Sequence, residues 1–208
     1  MKIICVGSNY ADHIKEMQAV GFKNEIPAEP TIFTKPDTAL LVNNKPFYYP
    51  DFSRNIQYET ELVIKIDKIG KYIQKEFAST YYSEIATGID FTARDIQQKL
   101  RAEAKPWILA KGFDNSAPVS KFIPINSLKD SNEIEFSLKL NDKIVQNGNS
   151  KNMIFGFDDL IVYISQFITL KIGDLIFTGT PSGVGSVKIG DRLKTYIEDK
   201  EMMNFVVK

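Results

Sequence analysis

Glu59 and Glu61 stand two residues apart in the stretch I-Q-Y-E-T-E-L-V-I-K-I, residues 56–66. Side chains of a strand alternate between its faces, so an extended segment would project both carboxylates from one side, together with Val63 and Lys65. Tyr58, Thr60, Leu62, Ile64 and Ile66 would form an apolar face opposite. Adjacent carboxylates repel, and three things can hold them side by side. The first is water on a solvated sheet face, where Glu-x-Glu is ordinary. The second is Lys65, which could screen Glu61 but could not serve Glu59 equally well. The third is a metal ion. Asp90 ends an apolar run just ahead of a helical pattern, where the helix dipole favours a carboxylate, and it is a candidate third ligand. Three carboxylate oxygens with water completing an octahedron suit a hard cation such as Mg²⁺ or Mn²⁺. Zinc, by contrast, prefers His and Cys.

Further residue types could carry chemistry. His13 is the only histidine, and Glu16 follows it by three residues on one helix face. The pair is either a general base oriented by a carboxylate or a surface pair. Lys111, closing the apolar stretch I-L-A-K, could face a developing enolate or donate a proton, or else snorkel to water. Arg94 and Gln97 lie on the helix after Asp90 and could bind a substrate carboxylate or face solvent. The segment T-G-T-P-S-G-V-G, residues 178–185, could present backbone N–H groups to an anion. It lacks the Gly-Lys-Ser/Thr ending of a phosphate loop, and there is no G-x-G-x-x-G, so nucleotide binding is not supported.

The elements that must position these groups are short. Residues 2–6 read as a buried strand, followed by a helix with Asn9 as N-cap and Asp12 three residues on. Gly21 to Pro30 is polar and irregular, a candidate mobile loop beside His13. T-I-F-T-K-P is a strand stopped by Pro36, and another runs near Ala39–Val42. A helix begins near Thr92, with Asp95 completing a capping box, and Pro106 ends it. From Trp107 on the signal is mostly strand: W-I-L-A-K, then E-I-E-F-S-L-K-L-N-D-K-I-V with a hairpin turn at Asn141–Asp142, then D-L-I-F-T-G-T. Leu160, Tyr163, Ile164 and Phe167 recur at helical spacing. The tetrapeptide K-I-G-D occurs at 171–174 and 188–191, each time as a turn entering a strand. The sum is a strand-rich α+β domain with about three short helices over residues 1–208.

Composition narrows the partners. Lys plus Arg and Asp plus Glu both number 26, and the basic residues are dispersed, so nothing steers the chain toward nucleic acid or an anionic membrane. The one cysteine, Cys5, can form no intramolecular disulfide and reads as a core residue in a reducing compartment. The apolar run Ile3–Val6 is too short for a secretion signal, and no other segment could span a bilayer, so a cytoplasmic location is the default.

Taken together and in order, G-S-N-Y-A-D-H-I-K-E-M, F-T-K-P-D-T-A, Y-E-T-E-L, G-I-D-F-T-A-R-D-I-Q, W-I-L-A-K-G-F-D and G-D-L-I-F-T-G-T-P-S-G-V-G resemble the fumarylacetoacetate hydrolase family, over nearly the whole chain. The resemblance implies a β-rich, sandwich-like roll flanked by short helices, usually a homodimer. It implies Mg²⁺ or Mn²⁺ on Glu59, Glu61 and Asp90, water activation by His13 and Glu16, and Lys111 at the reaction centre. Lys35, Arg94, Gln97 and Thr180 match positions that line the pocket. The implied substrate is a small oxo acid. The implied reaction is hydrolytic C–C cleavage of an acylpyruvate-like 1,3-dicarbonyl, with oxaloacetate decarboxylation or hydroxydienedioate isomerisation as alternatives on the same site. A relative that only binds metal or ligand is the alternative of a different class. One departure stands out: many members read G-R-N-Y where this chain has Ser8, and loss of that cation bears on a substrate with a distal carboxylate.

Overall fold

Thr60–Ile66 sits in the interior of a six-stranded sheet whose strand order is Thr31–Lys35, Ile3–Gly7, Leu175–Phe177, Thr60–Ile66, Tyr82–Ile89 and Ile123–Pro124. The computed structural model describes residues 1–19, 21 and 25–208. Ile3–Gly7 and Leu175–Phe177 run parallel, and the other neighbours in this sheet are antiparallel. Both faces of the sheet are covered. Ile4, Val6, Leu62, Ile64 and Ile85 pack with Leu160, Ile161 and Ile164 of a helix. Ile3, Cys5, Val63, Ala86 and Phe177 pack on the other side with Ala39, Ala117 and Val119. The face shared by Glu59, Glu61 and Val63 is therefore a second buried face, which removes the solvated-face reading. Lys65 is ion-paired with Glu84 and leaves Glu61 alone.

A four-stranded antiparallel sheet, ordered Lys143–Asn149, Glu135–Leu140, Arg192–Ile197 and Lys200–Val206, closes the roll. Its Leu138, Leu193, Met203 and Phe205 meet Ile56, Tyr58, Ile89 and Phe91 in a further core cluster. The Asn141–Asp142 hairpin forms as expected, with φ of 49° and 66° at its two central residues, the left-handed pair that matches strand twist. The two K-I-G-D segments make the same turn. In each, the Asp N–H bonds the Lys carbonyl and the Asp side chain accepts the Lys N–H at 2.8 Å, with Gly173 at φ +85° and Gly190 at +95°.

Five α-helices occur among the described residues: α1 (Ala11–Ala19), α2 (Lys75–Ala78), α3 (Arg94–Ala102), α4 (Ile108–Lys111) and α5 (Phe157–Phe167). The three longer ones are those expected from the sequence. Several local expectations need correction. W-I-L-A-K is a single helical turn, because the carbonyl of Trp107 accepts from Ala110 and Lys111 and Gly112 closes the turn. A short apolar run cannot by itself separate one helical turn from a strand. Asn9 is not the cap of α1. Its side chain donates to the carbonyls of Phe155 and Thr178 and accepts Phe155 N–H, tying the first turn to two distant segments. Thr92 and Asp95 form no capping box. Thr92 pairs with Gln57 in a short sheet, and Asp95 accepts from Ser53 and Arg54. Residues 20 and 22–24, within and beside the expected mobile loop, lie outside the described residues. Residues 25–30 carry neither helix nor strand.

Candidate active site

Strand pairing assembles the three carboxylates. Thr60 faces Ile89 in the antiparallel register, so the residues just beyond, Glu59 and Asp90, come opposite one another, and Asp90 N–H donates to Glu59 O at 2.8 Å. Glu61 joins them from the next outward position on the same face. One oxygen from each of Glu59, Glu61 and Asp90 lies within 4.8 Å of the others, and all three residues are at most 6% exposed. Glu61 is held by Gly179 N–H at 2.7 Å. Burial and then the Asp90 charge push its carboxyl well above the usual range, Gly179 only partly offsetting them.

Three cations answer two of the three acids, Glu59 and Asp90. Lys111 Nζ lies 2.8 Å from Glu59 Oε2 and 2.6 Å from Asp90 Oδ2. Burial works against its charge, but Asp90 and Glu59 outweigh it and raise the ammonium pKa. Arg94 bonds the other oxygen of Glu59, and is itself held by Gln57 at 2.6 Å and by Gln97. Burial would raise Glu59, but Lys111 and Arg94 hold it well below the usual carboxylate range. Lys35 differs from the expectation of a pocket-lining residue. It is buried behind Asp90, its Nζ 2.7 Å from Oδ1, with hydrogen bonds to the carbonyls of Phe91, Lys111 and Ser116 and to Ser116 Oγ. Lys35→Met, which strips a buried cation from these acceptors, is expected to cost about 3–5 kcal/mol in denaturant unfolding.

Asp90 Oδ1 is ion-paired with Lys35 but has no partner in hydrogen-bond geometry. A buried oxygen without a donor, beside a glutamate whose charge is uncompensated, fits a further cation. The all-oxygen donor set suits Mg²⁺ or Mn²⁺.

The dyad is assembled and is no surface pair. His13 is 8% exposed on the buried face of α1, and its Nδ1 lies 3.3 Å from Glu16 Oε2. Gly183 N–H reaches both oxygens of Glu16, at 3.0 and 3.1 Å. Burial would raise the Glu16 carboxyl, but His13 and the Gly183 N–H bring it below its ordinary value. The glycine-rich loop thus does present N–H groups to anions, and the anions are the protein's own Glu61 and Glu16. A Cβ on Gly183, at φ +99°, would meet Val145 O at 2.1 Å, so only glycine fits there. Thr180 lies in this loop, its hydroxyl bonded to Thr60 O at 2.8 Å.

A cleft with an empty volume of ≈ 490 Å³ opens onto these groups. His13, the three acids, Arg94, Gln97, Lys111 and Thr180 line it, as does Ser8, while Glu16 and Lys35 stand behind that lining. Sequence reasoning missed Gln57, although its parity with Glu59 places it on the same strand face. It also missed Gln146, which accepts Thr60 N–H and donates to Thr180 from 34 residues away, with no signal in the chain. Phe33, Arg101 and Trp107 complete one side of the cleft. Of these, only Arg101 had a signal, its helical spacing from Arg94 and Gln97.

Comparison with known proteins points the same way. The family model described as fumarylacetoacetate (FAA) hydrolase C-terminal matches residues 2–207. The chain is 40% identical over 206 residues to the mouse protein named oxaloacetate tautomerase FAHD1, mitochondrial, covering 99% of this chain and 91% of that one. It is 44% identical over 194 residues to the oxaloacetate decarboxylase, mitochondrial, of Dictyostelium discoideum, covering 93% and 87%. The crystal structure of fumarylpyruvate hydrolase from Pseudomonas aeruginosa, in complex with Mn²⁺ and pyruvate, superposes with a TM-score of 0.91. It is 34% identical, with 100% of this chain and 89% of that one covered.

Proposed function

Since the chain belongs to the fumarylacetoacetate hydrolase family, we propose that its cleft binds a 2-oxo acid and stabilises the enolate formed from it. The observation that carries this is the buried triad, whose Asp90 Oδ1 lacks a hydrogen bond and whose Glu61 lacks a counter-charge, beside the Lys111 ammonium. Glu59, Glu61 and Asp90 would hold Mg²⁺ or Mn²⁺. When bound, the cation supplies Lewis-acid polarisation of the substrate's carboxylate and 2-oxo group. Lys111 offers a desolvated positive charge to the developing enolate oxygen. Arg94 and Gln97 fix Glu59 and the cleft wall, and Thr180 lines the opposite loop.

Hydrolytic C–C cleavage of an acylpyruvate-like acid uses the His13–Glu16 pair together with the three acids and Lys111. His13, oriented through Nδ1 by Glu16, takes a proton from the water that attacks the distal carbonyl. The C–C bond then breaks, giving a carboxylic acid and the enolate of pyruvate, which is protonated on carbon. A second reading, tautomerisation or decarboxylation of oxaloacetate, needs the same enolate stabilisation and no attacking water. It is favoured by the identity to the mouse and Dictyostelium proteins. Isomerisation of a hydroxydienedioate draws on the same step.

Acylpyruvates, oxaloacetate and hydroxydienedioates assayed with Mg²⁺, with Mn²⁺ and with chelator test the proposal. Turnover of at least one that vanishes in chelator is expected. A metal-induced thermal shift with no turnover would favour the non-catalytic alternative. A homodimer belongs to the same reading: sedimentation at micromolar concentration is expected to give twice the 23.6 kDa chain mass, and a single species at chain mass would count against it. No helix among the described residues is long and apolar enough to cross a membrane. A cytoplasmic location is proposed on the strength of the single buried thiol, Cys5.

A further inference from the structure

Ile144 and Gln146 stand two residues apart on the strand Lys143–Asn149, where a regular pleat would put them on one face. The structure separates them, and against hydropathy: Ile144 is 63% exposed and Gln146 is 1% exposed. A β-bulge does this. Leu138 pairs with Gln146 and Lys139 with Ile144, so Val145 is the extra residue and the strand turns over between the two. Burying an amide is costly unless it is hydrogen-bonded, and both ends of this one are. Its Oε1 accepts Thr60 N–H at 2.8 Å, and its Nε2 donates to Thr180 Oγ1 at 2.8 Å and to Pro181 O at 2.9 Å. The network fixes which way the amide faces, since a flipped one would set N–H against N–H and oxygen against carbonyl.

Thr60 is the residue between Glu59 and Glu61. Its N–H ends on Gln146 and its carbonyl accepts the Thr180 hydroxyl at 2.8 Å, closing a ring of Thr60, Gln146 and Thr180. The ring fills a gap in the first sheet. Leu175–Phe177 pairs with Thr60–Ile66 as far as Phe177 opposite Val63, and Thr178 still bonds Leu62 O through its N–H and its hydroxyl. Beyond Thr178 the chain leaves the sheet, and the two side chains replace the ladder that stops there. That departure lets the loop reach both acids, with Gly179 N–H on Glu61 and Gly183 N–H on Glu16. Gln146 grips residues 180 and 181, between those two amides. Its Cγ also packs at Gly183, 3.3 Å from where a Cβ would stand.

Resting on the cation and base assignments above, we propose that Gln146 is a positioning residue that couples the two. One end of its amide pins Thr60 and the other pins the loop. It thereby holds Glu61 in register with Glu59 for the divalent cation and Glu16 in place for His13. Gln146 is not among the described residues that line the cleft, so it acts through these partners alone.

Gln146→Met keeps the shape of the side chain and removes its three hydrogen bonds. Thr195→Val is the control. It breaks the Thr87–Thr195 hydroxyl contact at 2.6 Å, a buried bond between the same two sheets that holds no part of the loop. Two readouts are taken that a general loss of stability leaves in place while the protein stays folded. One is Mn²⁺ affinity by calorimetry, and the other is the ring resonance of His13, the only histidine, by NMR of metal-free protein. In Gln146→Met, Mn²⁺ affinity should fall about 10- to 100-fold, the usual effect of losing a residue that supports metal ligands, and the His13 resonance should shift. Thr195→Val should melt lower and match wild type in both. If Gln146→Met does not fold, Gln146→Asn, which withdraws the amide by one methylene, carries the same expectations. A folded Gln146 variant with either readout at its wild-type value overturns the proposal, and so does Thr195→Val moving both equally. Wild-type protein that binds no Mn²⁺ overturns the cation assignment, and this proposal with it.

Discussion

Replacing Glu61 with alanine is expected to abolish divalent-cation binding and all turnover with it. The reason is charge. Glu59 has Arg94 and Lys111 as partners, and Asp90 has Lys111 and Lys35. Among the described residues Glu61 has no ion-pair partner, only the Gly179 N–H. It is the acid whose charge the protein leaves for something else to neutralise. Without it, two carboxylates face three basic side chains, and a divalent cation would enter a site already in positive excess. Second-layer partners of metal ligands are typically worth 10–100-fold in affinity, so losing a ligand should cost at least about 100-fold in Mn²⁺ affinity by calorimetry. In chelator the variant should melt no lower than wild type, because the change removes a buried, uncompensated acid. Unchanged Mn²⁺ affinity in a folded Glu61→Ala protein would sink the site assignment.

His13→Ala separates the two readings of the chemistry. Hydrolysis needs an activated water, and among the described residues the base assembled at the cleft is His13, with its ring fixed by Glu16 and Glu16 fixed by Gly183. Acylpyruvate hydrolysis should fall about 10²–10⁴-fold, the usual worth of a general base. Oxaloacetate decarboxylation should fall much less, since it asks only for chelation and enolate stabilisation. Lys111→Ala should depress both, because both pass through the enolate. Hydrolysis at near wild-type rate in His13→Ala would remove the dyad from the mechanism.

Much of the fold and site could be read from the chain, and the misses share a cause. Period-two alternation located Thr60–Ile66 and the Asn141–Asp142 hairpin, 3.6-residue spacing located α3 and α5, and α1 was expected from a cap at Asn9 that the helix does not use. What alternation could not say is whether the face shared by Glu59, Glu61 and Val63 meets water or, as at Val63, packs with Val119 and Phe177, because burial of a second face is a tertiary fact. The nearness of Asp90 to Glu59 likewise depends on strand register, which sequence spacing does not encode. Lys35 shows the limit of carrying a role over by matching positions. The residue matches, but its ammonium is enclosed by the carbonyls of Phe91, Lys111 and Ser116, so it positions Asp90 instead of meeting substrate. Asn9 and Thr92 were read locally as caps, whereas each is engaged by partners far along the chain.

The loop of residues 178–185 grips Glu61 through the amide of Gly179 and Glu16 through the amide of Gly183. Four residues of main chain therefore set the separation between the cation site and the base. Such a ruler is invisible to side-chain mutagenesis: an alanine scan across Ser182 and Val184 would report tolerance, and at the two glycines it would report only steric collision. Amide-to-ester replacement at residue 179 or 183, by semisynthesis, deletes one N–H while leaving every side chain in place. It would read out, one carboxylate at a time, how far the loop's backbone tunes the metal site and the base independently.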